Sequence, residues 1–467
     1  MAGGEAARVL VLELWDRVAG HEARLEALER AAGANSQNSS LPPSSDSPKT
    51  RAERRRAARD QAKRSMLRAG GQPGHEGKAR ELVGGDRVDV AVAHLPLSCA
   101  CGHDFTGEEE RLGAPVISQK WELPVIVPIV SEHHQHRLAC PACGKGTLAE
   151  LGAGVSVSGY GPRLEAHIGM LAGVYRLSRR QITDIVTQML GVPASVGAIN
   201  ETIMRMSAVL ADPWTQLREA VQRAEVVHAD ETSWRLAGEQ QWLWLAASAL
   251  YACFRIDPSR SQKAAKALLG EDFGGMVISD RYAGYHFLDV LQQQLCWAHV
   301  IRQFVQISER DGAPGLLGQQ LVTAARQVIA THHDYLGGDH DLAWLENELI
   351  ALRAHIQTLL ETGAAAEHPK TARFCTGLLS EYQALWAFCE TEGISPTNNE
   401  AERAVRHAVI LRKIQIGTQS ECGSRWIERI ASVFETCKLQ GRSTLEYLIS
   451  AATAHHHQTP IPRLTPI

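Results

Sequence analysis

Two aspartates that follow apolar runs are the first candidates for chemistry in this sequence. Asp230 ends the run Val-Val-His-Ala-Asp, and Asp280 ends the run Met-Val-Ile-Ser-Asp. If these runs are neighbouring strands of one sheet, the two carboxylates lie side by side at the same edge. Burying bare carboxylates near each other is costly, and a divalent cation removes the repulsion. Carboxylate oxygens with open positions suit Mg²⁺ or Mn²⁺, so the pair predicts such a site.

A third acid comes late in the chain, in SPTNNEAERAVRHAVILRK, which has the start signals of a helix. Thr397 or Asn398 can cap this helix, and Glu402 follows in the second turn. Glu400 is a rival, but it lies about 200° around the helix from Glu402, so only one can face the strands. Three acids around one or two metal ions form a phosphoryl-transfer site, in which one ion activates a water or 3′-hydroxyl and the other stabilises the leaving oxygen. A strand-end cap or a surface charge is the commoner role of any single acid.

Four of the ten cysteines occur in two close pairs, which indicates metal binding rather than a disulfide scaffold in a chain of this length. Cys140-Pro-Ala-Cys143-Gly is typical of a zinc knuckle, whose backbone amides point at thiolate sulfur. Cys99-Ala-Cys101-Gly is one residue tighter than the usual spacing. Residues 108–138, between the pairs, suggest short strands, and the whole predicts a ribbon-like structural Zn²⁺ site. Four unligated buried cysteines are the alternative, and substitute ligands would be His103, His133, His134 and His136.

A basic segment interrupts a chain whose formal net charge is −4. Residues 32–80 begin Ser/Pro/Asn-rich, which should not fold alone, and continue as a basic arm with a Gly-rich hinge. Such arms neutralise phosphates without reading base sequence, so we expect a nucleic-acid contact here rather than a solvated linker. The predicted DNA-binding residues are Arg54, Arg55, Arg56 and Arg59 in the arm, and Arg403 and Arg406 in the late helix, where they are at helical spacing.

Two predicted helical regions precede the acidic residues. Residues 5–31 carry a heptad seam and predict a coiled-coil helix, or else an amphipathic helix packed on its own domain. Residues 155–210, after the zinc module over residues 81–150, predict a helix-turn-helix. Its turn is Gly191-Val192-Pro193, and its second helix runs from a Ser195 cap to about Met206. The second helix is poor in Arg and Lys, and helical hairpins that bind nothing are commoner.

Residues 220–450 predict the domain that positions the three acids. Three successive strands are indicated by AEVVHADETSW, QWLWLAASAL and YACFRID, and a helix by residues 260–270. Two further strands are indicated by GGMVISDRYAGY and LQQQLCWAH. This order fits a mixed sheet with helices packed on it. Residues 309–392 predict a helical insertion, so the whole chain is expected to be a multidomain α+β protein.

Composition excludes several other classes. The net charge of −4 excludes a uniformly basic histone-like protein, and a hydrophobic content of 44% excludes a wholly disordered chain. No apolar run approaches the ~18 residues that span a bilayer, and the N-terminus lacks the features of a signal peptide. We therefore expect a reduced cytoplasmic protein with no membrane partner.

Several long motifs, in the same order along nearly the whole chain, resemble the transposases of the insertion sequence 66 family. They are NSSLPPSSDSPK, GGQPGHEG, CPACG, HADETSWR, VISDRYAGY, LCWAHVIRQF, TNNEAERAVR and ETCKLQGRSTLEYL. The resemblance implies a ribonuclease-H-like α/β catalytic domain with an Asp-Asp-Glu triad and an insertion before the Glu. It matches Asp230 and Asp280 to the two aspartates. The family's Asn-Asn-x-x-Glu-Arg pattern falls on residues 398–403, which favours Glu402 over Glu400.

The resemblance also bears on three further positions. His299, in Cys-Trp-Ala-His, is placed close to the site, where it would contact phosphate or a metal-bound water; a structural histidine after a strand is the alternative. The first cysteine pair, Cys99 and Cys101, departs from the family pattern because it is one residue shorter. The pattern is also broken at Arg281, where a Gly is common, and this adds charge beside the site.

The function implied is that of a bacterial, nucleoid-associated DNA transposase. It would bind terminal inverted repeats and catalyse metal-dependent strand cleavage and strand transfer. The basic arm, zinc module and helix-turn-helix would recognise the repeats, and the coiled coil would pair two or more subunits, because two DNA ends are handled together. Accessory proteins of the same element are expected partners. The competing hypotheses are a non-catalytic DNA-binding relic acting as a repressor, and a plain ribonuclease-H-like nuclease, which would not need the N-terminal array.

Overall fold

The computed structural model of the chain describes residue 56, residues 80–152, residues 154–155 and residues 159–466. These fall into two compact units, one within residues 48–127 and the other within residues 128–466. The predicted coiled-coil helix lies outside the described residues, as do Arg54, Arg55 and Arg59 of the basic arm, whereas Arg56 is described and exposed. Within the described part of the chain, no helix is both long and apolar enough to cross a membrane.

Little regular structure forms in the described residues of the smaller unit. A 3-10 turn covers Gly85–Arg87, and a bridge between Ser98 and Asp104 closes a short loop. Residues 108–136 form none of the short strands expected over residues 108–138, whereas residues 137 and 138 begin the strand Arg137–Ala139, so the prediction is confirmed only at its end. The apolar side chains there, such as Val116 and Val125, are exposed. Prolines punctuate the stretch, and proline has no N–H for a strand ladder.

A two-stranded hairpin and four helices open the larger unit. Strand β1 (Arg137–Ala139) pairs antiparallel with β2 (Gly146–Leu148). The helices are α1 (Pro162–Gly173), α2 (Arg179–Asp184), α3 (Val196–Val209) and α4 (Ala211–Gln222).

The predicted turn and cap of the helical pair are confirmed. Gly191 has a φ of +67°, in the left-handed region that favours glycine. Ser195 caps α3 by accepting the Ala198 N–H at 3.1 Å. Helix α3 buries Ile199, Ile203 and Met206 among its neighbours. The charged residue on its exposed face is the acidic Glu201, so DNA recognition by α3 stays a prediction.

A mixed five-stranded sheet carries the candidate site, which confirms the expected mixed α/β architecture. Its strands are β3 (Val226–Leu236), β4 (Glu239–Ala247), β5 (Ala252–Asp257), β6 (Met276–Ser279) and β7 (Gln293–Leu295). The spatial order is β5-β4-β3-β6-β7. Strands β3, β4 and β5 form an antiparallel meander, and β6 and β7 run parallel to β3. Ala237 and Gly238, both with positive φ, make the tight turn between β3 and β4.

Helices fill the rest of the described chain. They are α5 (Gln262–Leu269), α6 (Trp297–Ser308), α7 (Ala313–Asp334), α8 (Leu342–Ala364), α9 (Pro369–Ser380), α10 (Ala387–Glu390), α11 (Asn399–Gln415), α12 (Glu421–Leu439) and α13 (Thr444–His456). Helices α7 to α10 lie within residues 309–392, where a helical insertion is predicted. They pack with α6 in a core whose members include Phe304, Leu321, Leu345 and Trp386, and this core also contains Ile278 of β6 and Leu295 of β7. The helices are therefore packed onto the sheet through β6 and β7.

Helix α12 covers the outer edge of strand β5 with a ladder of side chains. Three backbone N–H groups of the strand donate to three buried side chains of the helix: Ala252 to Thr436 at 3.0 Å, Phe254 to Ser432 at 2.8 Å, and Ile256 to Glu428 at 2.6 Å. The helical side chains are four residues apart, a rise of about 6 Å. The strand N–H groups are two residues apart, a rise of about 6.6 Å, so each side chain lies opposite one N–H group. The unpaired donors of an edge strand are thereby satisfied within the chain.

Ser432→Ala is expected to lower the free energy of unfolding by about 1–3 kcal/mol, because it leaves the buried Phe254 N–H without a partner. Denaturant unfolding followed by circular dichroism would measure this. Ser450→Ala is the matched control: Ser450 is exposed and bonds only within its own helix, so its effect should stay within about 0.5 kcal/mol. Equal effects of the two substitutions would contradict the role assigned to the ladder.

Candidate active site

Asp230 and Asp280 lie side by side on adjacent parallel strands. His228 is the last β3 residue paired with β6, opposite Ile278, and each aspartate lies two residues further along its strand direction. Asp280 follows the end of β6, as expected, and its Oδ1 accepts the Tyr282 N–H at 3.0 Å. Asp230 does not end its strand, contrary to the sequence interpretation. Strand β3 continues for six residues because it pairs with β4 beyond the point where its pairing with β6 stops.

The surroundings of Asp230 are unfavourable for its negative charge. Burial raises the pKa of Asp230 well above its usual value, and the charges of Glu231, Asp280 and Glu402 raise it further. The Glu231 N–H, which donates to Asp230 Oδ1 at 2.9 Å, acts in the opposite direction. A carboxylate buried among three other acids is stabilised in its charged form by a cation. The donor set is all oxygen, which fits Mg²⁺ or Mn²⁺.

Glu402 approaches the aspartates from helix α11. Its Oε1 is buried and has no hydrogen-bond partner among the described residues. That oxygen lies 3.8 Å from Nδ1 of His299 and 4.0 Å from Nη2 of Arg302, both on α6. His299 is therefore close to the acids, as the motif implied, but it lies in the first turn of a helix rather than at the end of a strand. The unsatisfied carboxylate oxygen fits a metal ligand, because buried polar atoms normally have partners.

Glu400 points elsewhere. Its Oε2 lies 3.3 Å from Nε2 of the buried His228, and its own side chain is 58% exposed. The two glutamates therefore have different partners, as their angular separation on a helix requires. This geometry favours Glu402 over Glu400 as the third acid independently of the sequence motif.

Asn398 joins the start of α11 to the strand that carries Asp230. Its side-chain amide donates to the Ala229 carbonyl at 2.7 Å, and its amide oxygen lies 3.1 Å from Nδ1 of His228. Its backbone N–H donates to the Cys296 sulfur at 3.2 Å. The Asn398 side chain does not form the expected capping bond with its own helix, because it contacts Ala229 and His228 of strand β3 instead. These contacts fix the helix that presents Glu402.

Glu231 is a buried acid that the sequence interpretation did not single out. Its side chain is 2% exposed, and Arg260 donates to its Oε1 from Nε at 3.0 Å and from Nη2 at 2.6 Å. The Tyr285 hydroxyl donates to Oε2 at 3.0 Å. Side chains alternate along a strand, so Glu231 faces away from Asp230 and is neutralised on the opposite side of the sheet. The alternation along Asp-Glu-Thr was a signal in the sequence that Glu231 faces away from Asp230. It could not identify Arg260 and Tyr285 as the partners of Glu231, because they lie far along the chain.

The arginines near the site differ in what they contact. Arg403 and Arg406 are exposed on α11 and make no hydrogen bond or ion pair with another described residue. Arg281, which departs from the family pattern, is engaged: its Nε donates to Glu381 of the insertion at 2.7 Å. Its charge is therefore largely neutralised within the protein.

Each cysteine pair forms a local turn in its own unit. In the smaller unit, the Cys99 N–H donates to the His103 carbonyl at 2.8 Å. The N–H of His103 and the Cys99 thiol lower the pKa of the Cys101 thiol. In the larger unit, the N–H groups of Ala142 and Cys143 lower the pKa of the Cys140 thiol. Backbone amides directed at sulfur are what a metal-binding thiolate needs, and the tight first pair has this feature too.

Asp230→Asn is expected to raise the melting temperature of the protein in a chelating buffer. The substitution removes a carboxylate whose pKa is raised by burial and by the charges of Glu231, Asp280 and Glu402, so it relieves an unfavourable interaction in the folded protein. Asp257→Asn is the matched control, because Asp257 Oδ2 lies 3.5 Å from Nη2 of Arg255 and gains from its charge. A lower melting temperature for Asp230→Asn than for the wild type would show that the cluster is not repulsive.

Comparisons with known proteins match several segments of the chain. A family model described as zinc-finger binding domain of transposase IS66 matches residues 96–144, which include both cysteine pairs, and a family of unknown function (DUF6444) matches residues 2–81. An uncharacterized protein, y4qI, of Sinorhizobium fredii (strain NBRC 101917 / NGR234) is 25% identical over 265 residues, which are 50% of this chain and 48% of that protein. The chain thus spans about half the length of this curated relative.

A further family model, described as transposase IS66 family, matches residues 158–425. This match covers more than half of the chain, from the beginning of α1 into α12. The matched range includes Asp230, Asp280 and Glu402. The chain therefore belongs to the transposase IS66 family.

Proposed function

We propose that this protein is a DNA transposase that cleaves and joins DNA with Asp230, Asp280 and Glu402. The observation that carries the proposal is the meeting of three acids from three separate elements. Asp230 and Asp280 are adjacent in register, and the charge of Glu402 acts on Asp230. The spatial strand order, with an antiparallel meander followed by two parallel strands, supports a ribonuclease-H-like domain.

The three carboxylates would hold Mg²⁺ or Mn²⁺. Their fit is supported by the unsatisfied buried oxygen of Glu402 and by the mutual repulsion around Asp230. When bound, the cations supply charge neutralisation and Lewis acidity for phosphoryl transfer. The protein's own contribution is to keep the three carboxylates converged, through the strand register and the contacts of Asn398.

DNA is the proposed substrate and partner. Arg403 and Arg406 point to solvent on the helix that carries Glu402, and their unpaired charges would contact phosphates beside the site. Arg56 and the rest of the basic arm would add contacts that do not depend on base sequence. In the reaction, water attacks the phosphodiester at each element end and frees a 3′-hydroxyl, which then attacks target DNA.

The other modules would serve recognition and assembly. Cys99, Cys101, Cys140 and Cys143 are proposed to bind a structural Zn²⁺, which the zinc-finger match over residues 96–144 supports. The helical pair over residues 155–210 would contact the terminal repeats, and the coiled-coil helix predicted over residues 5–31 would pair subunits. Accessory proteins of the same element remain proposed partners.

Strand transfer of a labelled terminal-repeat DNA by the full-length protein tests the proposal. Cleavage and joining are expected with Mg²⁺ or Mn²⁺ and not with a chelator. Cleavage without joining would favour a plain nuclease. Specific binding to the repeat with neither reaction would favour the non-catalytic relic.

A further inference from the structure

We propose that Cys296, His299 and Glu402 form a separate binding site for a zinc-like transition-metal ion, and that this ion competes for Glu402 with the catalytic cations. The Cys296 sulfur, a ring nitrogen of His299 and a carboxylate oxygen of Glu402 all lie within 4.8 Å of one another. The inhibitory role of this site rests on the proposed function, because it requires Glu402 to be a catalytic acid. The metal binding itself does not.

Two of the three ligand atoms are buried and unsatisfied. Neither Nδ1 of His299 nor Oε1 of Glu402 has a hydrogen-bond partner among the described residues. Their separation of 3.8 Å is too long for a direct hydrogen bond. Two ligands of one ion, each about 2.0–2.1 Å from it, can have this separation. An ion between them would therefore satisfy both atoms at once.

The third ligand atom has the surroundings of a metal-bound thiolate. Cys296 directly precedes helix α6, and its sulfur accepts the Asn398 N–H at 3.2 Å. Burial raises the pKa of the Cys296 thiol, whereas the backbone N–H groups of Asn398, His299 and Ala298 act to lower it. A helix N-terminus and nearby N–H groups stabilise a thiolate. A bound cation would supply the remaining charge, and the thiol proton would leave to solvent.

The donor set indicates which ion binds. Sulfur and imidazole nitrogen with one carboxylate oxygen suit Zn²⁺ or Co²⁺, whereas Mg²⁺ takes oxygen ligands. Glu402 is the one residue that this site has in common with the catalytic triad of Asp230, Asp280 and Glu402. A zinc ion held by Cys296 and His299 would therefore take the Glu402 carboxylate from the triad and suppress phosphoryl transfer.

Cobalt titration of the full-length protein tests the binding, since thiolate ligation of Co²⁺ gives a charge-transfer absorption band. Cobalt bound by the two cysteine pairs is the same in all variants. The quantity measured is therefore the difference in bound cobalt between each variant and the wild type. Cys296→Ser and His299→Ala are each expected to lose one bound cobalt per chain. Asp230→Asn and the matched buried-cysteine variant Cys375→Ser should keep it. Circular dichroism would confirm that each variant is folded, and His299→Gln provides a milder substitution.

Equal cobalt binding by all variants would overturn the proposal. Loss of the cobalt in Asp230→Asn but not in His299→Ala would place the ion between the aspartates, and would overturn it as well. The inhibitory role predicts that zinc, added to a Mg²⁺-supported strand-transfer reaction, lowers the activity by a larger factor in the wild type than in Cys296→Ser. Cobalt binding is measured without DNA. Its result therefore tests the metal site even if the protein proves not to be a transposase.

Discussion

Glu402→Gln is expected to reduce metal-dependent cleavage and strand transfer by about 10²–10³-fold, the scale seen when a group that stabilises transition-state charge is removed. The substitution keeps the shape of the side chain and removes its charge from the cluster around Asp230. An amide is also a poorer ligand for Mg²⁺ than a carboxylate. The measurement is the rate of product formation from a labelled terminal-repeat DNA at saturating Mg²⁺ or Mn²⁺.

Glu400→Gln is the matched control for this experiment. It makes the same chemical change two residues away, on a side chain that faces His228 and is more than half exposed. It should retain activity within a few-fold, and both variants should bind the DNA with the affinity of the wild type. A larger loss of activity in Glu400→Gln than in Glu402→Gln would show that Glu402 is not the third catalytic acid.

Asn398→Ala is expected to destabilise the protein, because Asn398 attaches α11 to β3 through buried hydrogen bonds. Its removal leaves the Ala229 carbonyl and the His228 ring nitrogen without partners. Each buried polar group left unpaired costs about 1–3 kcal/mol, so we expect a loss of roughly 2–4 kcal/mol in the free energy of unfolding. Because α11 then loses its attachment to β3, the affinity for Mn²⁺ should also fall. Denaturant unfolding and a Mn²⁺ binding titration measure the two effects.

Asn399→Ala provides the comparison for this residue. The neighbouring asparagine is exposed, and surface substitutions of this kind change stability by about 0.5 kcal/mol or less. If Asn398→Ala lowered stability without changing the Mn²⁺ affinity, Asn398 would be a structural residue only. If the two substitutions were equivalent, the contacts of Asn398 would carry no energetic weight.

Patterns of nearby residues were enough to predict most of the elements around the site. The apolar runs before Asp230 and Asp280 predicted two strands, and the structure has both, adjacent and parallel. Ser195 predicted a helix start, and its hydroxyl caps α3. These predictions succeeded because side-chain alternation, caps and turns depend on interactions within a few residues. The same reasoning failed over residues 108–136, where no strand forms and the large apolar side chains are exposed.

The order of the strands along the chain, the acids in or beside them and the cysteine pairs could be read from the amino-acid sequence, because these are local properties. Which acids meet depended on how distant elements pack. Glu402 reaches Asp230 across more than 170 residues of chain because the intervening helices pack against β6 and β7, and Asn398 attaches the start of α11 to β3. The burial of Glu231 against Arg260, and the ladder from α12 to β5, were decided in the same way. Such contacts depend on how separate elements pack, since the energy that selects them is gained only when distant surfaces are buried together.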